Sequence, residues 1–189
     1  MKHSKLKIFV TTYNNESWVE TNIDSILSQT YKNYEVMYID DNSQDKTFQI
    51  AKSIIGEDSR FNLIKHKENM SKAYSFMTYR DDFIDDNDIV LFIDGDDWIP
   101  YDDVFENVIN HYNSNNCWVA YSKMMCYPSL NITNVQGQDF PEHIHKFNNY
   151  RKFDFISSHL KSMKGFIFKE INSKDFKRGE KWIRFADDV

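Results

Sequence analysis

The chain has 189 residues and a formal net charge of −6 at pH 7, with 41% hydrophobic and 28% charged residues. This length and composition predict one soluble globular domain that can bury a sizeable core. The acidic balance argues against a nucleic-acid partner, and an anionic ligand would need local cations such as a metal ion.

Strand and helix patterns alternate through residues 1–100. Strands are predicted over residues 5–11, 34–39, 61–64 and 89–93, and helices over residues 16–29, 45–55 and 69–83. Alternation at this spacing is typical of βαβ units, which build a parallel sheet with right-handed crossovers. The sequence therefore predicts an α/β fold with a mostly parallel sheet.

Residues 101–189 have a less regular pattern. The predicted elements are a helix from Asp102 or Asp103, strands over residues 117–123 and 166–168, and a short helix over residues 169–176. Residues 124–149 show turn residues without a period, which indicates a functional loop or partial disorder. The last four residues, Ala-Asp-Asp-Val, contain no hydrophobic closing element, so we expect the domain to be truncated there.

Three of the predicted strands end on polar clusters, at residues 11–13, 40–43 and 94–97. In open α/β sheets ligands bind outside the carboxyl ends of the strands, so the clusters are candidates for one binding site. The third cluster, Asp-Gly-Asp-Asp, brings together three carboxylates whose like charges repel one another. A hard divalent cation with oxygen ligands would offset this repulsion and hold a diphosphate. Taken alone this cluster is equally compatible with a solvated acidic turn, and the convergence of three strand ends favours a function.

The two cysteines indicate a reducing compartment, and the hydropathy of the sequence argues against a membrane span or a signal peptide. Cys117 and Cys126 do not have metal-ligand spacing and indicate reduced thiols. No run approaches the roughly 18 apolar residues of a membrane-spanning helix, and the first apolar run is too short for a signal peptide. We therefore predict a cytoplasmic protein, at most peripheral to a membrane.

Three stretches of the sequence form a recognisable pattern. The first is F-V-T-T-Y-N-N-E at residues 9–16 with S-I-L-S-Q-T-Y-K-N-Y-E-V-M-Y-I-D-D-N-S-Q-D-K-T at residues 25–47. The second is I-V-L-F-I-D-G-D-D-W at residues 89–98, and the third, looser one is S-H-L-K-S-M-K-G-F-I-F with the terminal A-D-D-V. Together they resemble glycosyltransferase family 2, the inverting nucleotide-sugar enzymes of the GT-A fold. The second stretch is similar to the family's Asp-x-Asp motif, and the third to its acceptor-side segment and catalytic-base motif.

The resemblance implies a Rossmann-like GT-A sheet with helices on both faces. Residues 1–100 would form the nucleotide-sugar-binding half and residues 101–189 the acceptor-side half. In the first half, Thr11, Tyr13 and Asp41 would hold the nucleotide base. Tyr13 would stack on a pyrimidine and Asp41 would accept from a ring N–H. From the residues alone, packing remains an alternative for Tyr13, as does a turn and helix cap for Asp41.

The resemblance also assigns the acidic cluster. Asp94 would contact the ribose or a metal-bound water, or ligate the metal directly. Asp96 would ligate Mn²⁺ or Mg²⁺, which bridges the diphosphate oxygens and acts as a Lewis acid on the leaving group. Asp97 would ligate the metal or orient the loop.

An inverting transfer needs a base that takes the proton from the attacking hydroxyl. The resemblance places this role on Asp188, with Asp187 as the second candidate and a solvated acidic tail as the alternative. His159 could approach the diphosphate, but we expect a hydrogen-bonded structural histidine there.

One segment departs from the family pattern. Members often have Asn-x-Gly and a downstream Ala-Arg-Asn, whereas this chain reads Asn69-Met70-Ser71 and then Lys72-Ala73-Tyr74-Ser75. Lys72 would replace the basic contact to the diphosphate, as a point charge rather than a guanidinium fork.

Together these residues predict a metal-dependent inverting glycosyltransferase. It would move a sugar from a nucleotide-diphosphate donor, expected to be a UDP-sugar, to a hydroxyl of a glycan, lipid or protein acceptor. The alternative is a catalytically inactive domain that binds nucleotide sugars or glycans. A nucleotidyltransferase is disfavoured because the loop after the first strand, residues 12–15, contains no glycine.

Overall fold

The centre of the protein is a six-stranded sheet, seen in a computed structural model that describes residues 5–132, 138–154, 157 and 159–183. The strands in chain order are β1 (Leu6–Thr12), β2 (Tyr34–Asp40), β3 (Phe61–Lys65), β4 (Ile89–Asp94), β5 (Val119–Tyr121), β6 (Met125–Cys126), β7 (Asn131–Ile132), β8 (Lys161–Lys164), β9 (Lys177–Arg178) and β10 (Lys181–Trp182). The sheet has the order β3-β2-β1-β4-β8-β5. Strands β1 to β4 are parallel, while β8 runs antiparallel to β4 and β5. The predicted mostly parallel α/β sheet is confirmed.

Helices cover both faces of this sheet. They are α1 (Val19–Leu27), α2 (Thr47–Ile55), α3 (Lys72–Phe83), α4 (Val104–Ser114), α5 (Glu142–Phe147) and α6 (Gly165–Glu170), with 3₁₀ turns at Tyr150–Lys152 and Ser173–Phe176. No helix in the described ranges is long and apolar enough to cross a membrane.

Alternating side chains of β1 divide the core into two layers. Ile8 is fully buried in the cluster that packs α1, α2 and α4 against the sheet. Phe9 points into the second cluster, where its ring centroid lies 5.2 Å from that of Phe76 in α3 and 6.0 Å from that of Phe168 in α6. Because successive strand residues face opposite sides, a strand that is apolar at every position is buried between two helical layers.

The carboxyl ends of three strands are neighbours, as their polar clusters predict. In the pairing register Thr12 of β1 lies beside Asp40 of β2, and Thr11 lies beside Asp94 of β4. Parallel strands in register end at the same edge of the sheet, so the polar residues that follow β1, β2 and β4 lie together.

The strand predicted over residues 166–168 is wrong. These residues belong to α6, and the strand in this part of the chain is β8, which lies immediately before them and pairs with β4. A short apolar run such as Phe-Ile-Phe does not distinguish a strand from a buried helical turn. The β8 sequence, Lys-Ser-Met-Lys, carries no strand pattern of its own, and it forms a strand because β4 and β5 supply hydrogen bonds on both sides.

Residues 124–149, predicted as an irregular loop, contain regular structure. Strands β6 and β7 form a small hairpin, and α5 follows it. Each element is too short to produce a detectable period in the sequence. Cys117 and Cys126 are not joined to each other by a disulfide.

Candidate functional site

A cleft of about 550 Å³ opens where β1, β2 and β4 end. Its lining residues are Thr11, Thr12, Tyr13, Asn15, Asp41, Asn69, Ser71, Lys72, Asp94 and Asp96. All six residues that the sequence assigned to nucleotide-sugar binding therefore lie on one surface. The two candidates for the base, Asp187 and Asp188, lie outside the described residues.

The carboxylate of Asp41 is held by the segment between β3 and α3. Its Oδ1 accepts the N–H of Met70 at 2.8 Å and lies 2.8 Å from Nδ1 of His66. Its Oδ2 accepts the N–H of Ser71 at 2.9 Å. The side chain of Asn69 also donates to the backbone carbonyl of Asp41, at 3.3 Å. The sequence predicted Asp41 as a site residue from its position after β2. In the structure its carboxylate is held by a segment about thirty positions further along the chain.

Ser71 stands where the family pattern has its glycine, and its backbone explains that pattern. Its φ of 90° and ψ of 154° lie in a region that residues with a side chain rarely adopt. The hydrogen bond to Asp41 stabilises this conformation, and α3 begins at the next residue. Helix α3 is predicted to begin at Asn69, and it begins three residues later because Ser71 cannot be helical.

Tyr13 lies on the cleft wall with 45% of its surface exposed. The loop that carries it is tied to the loop after β2. The N–H of Asn14 donates to Oγ of Ser43 at 2.9 Å, and Oδ1 of Asn14 accepts the N–H of Gln44 at 2.8 Å. The two loops that would flank a base are therefore connected to each other, and the Tyr13 ring is accessible from the cleft.

A lysine, two aspartates and a histidine meet at the β4 end of the cleft. Nζ of Lys72 lies 2.6 Å from Oδ1 of Asp94. His159, which comes from the segment before β8, lies with Nε2 3.6 Å from Asp94 and with Nδ1 3.8 Å from Asp97. These separations are too long for hydrogen bonds. His159 is expected from the sequence to be hydrogen-bonded, yet its buried Nε2 has no such partner within the described ranges.

Asp94, Asp97 and His159 each offer a ligand atom within 4.8 Å of the other two. Burial raises the pKa of the Asp97 carboxyl, while His159 opposes this shift and Asp94 and Asp96 add to it. Asp96 is exposed and lines the cleft. Its role as the principal metal ligand stays a prediction, while the three converging groups include His159, which the sequence did not assign to the metal.

Asn22 of α1 anchors the acidic turn and was not singled out in the sequence. Its buried amide donates to the backbone carbonyls of Asp94 at 3.0 Å and Asp97 at 2.6 Å, and it accepts from the hydroxyl of Tyr38 at 3.0 Å. A signal was present, because Asn22 is a polar residue on the apolar face of a predicted helix.

Gly95 allows the acidic turn to approach β1. A Cβ at this position would lie 2.4 Å from Cβ of Thr12, which is closer than van der Waals contact permits. The N–H of Gly95 donates to the carbonyl of Thr11 at 2.9 Å. The missing side chain therefore sets the distance between the carboxylates and the Thr11–Tyr13 wall.

Comparison with known proteins identifies a family and several proteins whose sequences are similar to that of this chain. The sequence model of glycosyl transferase family 2 matches residues 7–173. Glycosyltransferase GlyA of Streptococcus pneumoniae is 26% identical over 188 residues, which cover 93% of this chain and 27% of that protein. The chain thus spans about a quarter of the length of this relative.

Solved structures have the same fold. S. aureus TarS 1-349 in complex with UDP superposes with a TM-score of 0.69 at 18% identity, covering 91% of this chain and 49% of that one. Mannosyltransferase PcManGT from Pyrobaculum calidifontis, in complex with GDP-Man and Mn²⁺, gives a TM-score of 0.57 at 22% identity over 65% of this chain and 36% of that one. At these identities the likeness establishes a GT-A fold.

Proposed function

Because the chain belongs to glycosyltransferase family 2, we propose that it transfers a sugar from a UDP-sugar donor to a hydroxyl acceptor, with inversion and with the help of a divalent cation. The observation that carries the proposal is that one cleft has an aromatic ring and a carboxylate at one end and a lysine with paired carboxylates at the other. A nucleoside diphosphate has the same polarity along its length, with a flat base at one end and two phosphates at the other.

The two ends of the cleft would bind different parts of the donor. Tyr13 supplies an exposed ring for stacking, and Asp41 supplies an acceptor for a ring N–H. Lys72 supplies a positive charge at the diphosphate, in a chain whose net charge is otherwise negative. TarS, which shares the fold, has been solved with UDP and with UDP-GlcNAc, which supports a uridine donor.

The donor set at the β4 end fits a divalent metal. Two carboxylates and an imidazole converge there, one of the imidazole nitrogens is buried without a hydrogen bond from the described residues, and like-charge repulsion needs a counter-charge. Carboxylates suit both Mg²⁺ and Mn²⁺, and an imidazole in the set favours Mn²⁺. Asp94, Asp97 and His159 would hold the ion, and Asp96, which is exposed beside them in the cleft, would complete the ligand set. A bound ion would neutralise the diphosphate as it leaves.

The proposed base that activates the acceptor is assigned from the resemblance to the family's catalytic-base motif. Asp188, or Asp187 in its place, would take the proton of the attacking hydroxyl. Residues 101–189 would form the acceptor side of the domain, with a glycan, lipid or protein hydroxyl as the acceptor. The half formed by residues 1–100 would hold the donor.

Donor turnover and binding test this proposal. The protein is incubated with UDP-sugars and Mn²⁺, UDP release is measured, and UDP affinity is determined by calorimetry. Asp96→Ala is expected to lower turnover by about 10²-fold, the scale seen when one group that stabilises transition-state charge is removed. Asp24→Ala, an exposed carboxylate on α1, is the matched control and should retain turnover.

The outcomes separate the candidate functions. A protein that binds no UDP and releases none from any donor would contradict the proposal. UDP binding without turnover, in a chain extended beyond residue 189, would instead identify a catalytically inactive nucleotide-sugar-binding domain.

A further inference from the structure

His66 is a buried histidine behind the cleft wall whose two ring nitrogens both face polar atoms. Only 8% of its surface is exposed. Nδ1 lies 2.8 Å from Oδ1 of Asp41, and Nε2 lies 3.2 Å from the hydroxyl of Tyr79. The Tyr79 ring stacks on the imidazole at 5.9 Å between centroids, and the Tyr74 ring meets it edge-on at 5.6 Å. The imidazole is therefore locked in one orientation.

The direction of these hydrogen bonds follows from the chemistry of the groups. An ionised carboxylate only accepts, so Nδ1 of His66 carries the proton and donates to Asp41. In the neutral ring Nε2 then accepts the hydroxyl proton of Tyr79. In the series Tyr79–His66–Asp41 each group donates a hydrogen bond to the next, and each hydrogen bond polarises the one that follows.

The hydrogen bond from His66 limits the number of acceptor positions on the Asp41 carboxylate that are open to a ligand. Each carboxylate oxygen can accept about two hydrogen bonds. Oδ1 already accepts from His66 and Met70, while Oδ2 accepts from Ser71 among the described residues. Among the contacts made by the described residues, one acceptor position of Asp41 remains open, on Oδ2, and Asp41 lines the cleft.

A carboxylate with one open position discriminates between bases. The edge of uracil presents a single ring N–H between two carbonyls. The edge of guanine presents a ring N–H and an amino group side by side, which call for both oxygens of a carboxylate. Binding guanine would leave one donor unpaired in the cleft, and an unpaired buried donor costs free energy.

We propose that His66 is a positioning residue that, by occupying Oδ1 of Asp41, makes the cleft select uridine over guanosine diphosphates. The inference rests on the proposed function, because it concerns the donor of the same site. His66 itself does not contact the ligand and acts through Asp41.

The test compares two substitutions that place an amide at different ends of the imidazole. His66→Asn puts its N–H₂ near the position of Nδ1 and can still donate to Asp41. His66→Gln puts its amide near Nε2, beside Tyr79, and leaves Oδ1 of Asp41 with an open position. Affinities for UDP and for GDP are measured by calorimetry with Mn²⁺ present, and thermal unfolding checks that each variant is folded.

We expect the wild-type protein to prefer UDP to GDP by at least about tenfold, the factor that one hydrogen bond to a charged group supplies. His66→Asn should keep this ratio within about threefold, and His66→Gln should lower it about tenfold. Tyr74→Phe, which keeps the ring packed on His66, should leave the ratio unchanged. A purely structural role would weaken both ligands together and would not change the ratio.

Each other result has a definite meaning. Equal UDP-to-GDP ratios in the wild-type protein and His66→Gln, or a wild type that binds the two ligands equally, would overturn the role of His66 and leave the proposed function standing. A wild type that binds neither ligand would overturn the proposed function as well.

Discussion

The backbone N–H of Ser71 donates to Oδ2 of Asp41 at 2.9 Å, and Ser71 makes this contact with a φ of 90°. The hydrogen bond joins the end of β2 to the start of α3 and closes one side of the cleft. A strained backbone that persists at a binding site is normally held by its surroundings, and here the carboxylate is the holding group. The carboxylate of Asp41 therefore both lines the cleft and holds the strained backbone of Ser71 in place.

Replacing Ser71 with glycine should stabilise the protein. Glycine adopts positive φ without steric cost, and the strain of a non-glycine residue there is about 1–3 kcal/mol. The greater chain entropy of glycine offsets part of this gain, so we expect the free energy of unfolding to rise by about 1 kcal/mol. Denaturant unfolding measures it.

Asn148→Gly is the matched control for Ser71→Gly. Asn148 has φ 51° and ψ 45°, a conformation that asparagine tolerates, so the change should have little effect. A destabilised Ser71→Gly variant would show that the side chain of Ser71 contributes more than its backbone costs.

Asn22→Ala should loosen the acidic turn. The substitution removes partners from the carbonyls of Asp94 and Asp97 and from the hydroxyl of Tyr38. Leaving such buried groups unpaired costs about 2–4 kcal/mol in the free energy of unfolding, and metal affinity should fall with it. Thr21→Ala, the exposed neighbour on α1, should change neither quantity. If the Asn22→Ala protein is destabilised but its Mn²⁺ affinity is unchanged, then metal binding does not depend on the anchoring of the acidic turn by Asn22.

Asp97→Asn should stabilise the metal-free protein at neutral pH. Burial raises the pKa of Asp97 in the folded state, so ionisation of this carboxyl costs free energy that the unfolded chain does not pay. The resulting loss of stability in the wild type develops as the pH rises from about 3.9, the ordinary aspartate pKa, through the raised folded value. Asparagine cannot ionise, so the melting temperatures should differ at pH 7 and converge below about pH 3.9.

The same variant should respond less to metal. Mn²⁺ is expected to raise the melting temperature of the wild type, because an ion that binds the folded state stabilises it. Asp97→Asn and His159→Ala should lose most of this increase, whereas Asp24→Asn should keep it. If Asp96→Ala alone loses the increase, then Asp96 is the principal ligand and the cluster formed by Asp94, Asp97 and His159 is not the metal site.

Gly95→Ala should displace the acidic turn from β1. The added Cβ would lie 2.4 Å from Cβ and 2.8 Å from Cα of Thr12, and the backbone would have to move to relieve the clash. We expect a loss of about 1–3 kcal/mol in the free energy of unfolding, together with weaker UDP binding in calorimetry. Gly56→Ala separates the two effects, since φ there is 54° but nothing lies within 4 Å of the added atom. It should reduce stability and leave UDP binding unchanged.

The sequence alone predicted the parallel half of the fold well. Strands β1, β2 and β4 are long apolar runs that end abruptly on polar residues, and the alternation with helices indicates parallel pairing. Parallel strands place their carboxyl ends at one edge, so Thr11, Asp41 and Asp94 could be assigned to one site from the sequence alone. The prediction failed for β8 and α6, where short segments take their conformation from their neighbours.

Other features of the site were decided by the tertiary structure. Asn22 donates to the carbonyl of Asp97 across 75 positions, and His66 reaches Asp41 across 25. Hydrophobic periodicity reports which face of an element is buried, because that depends on local spacing. It does not report which buried polar groups meet, because that depends on how complete elements pack. The sequence by itself determined the edge of the sheet that carries the site, and only the packing of α1, α3 and the β8 segment decided which side chains orient its carboxylates.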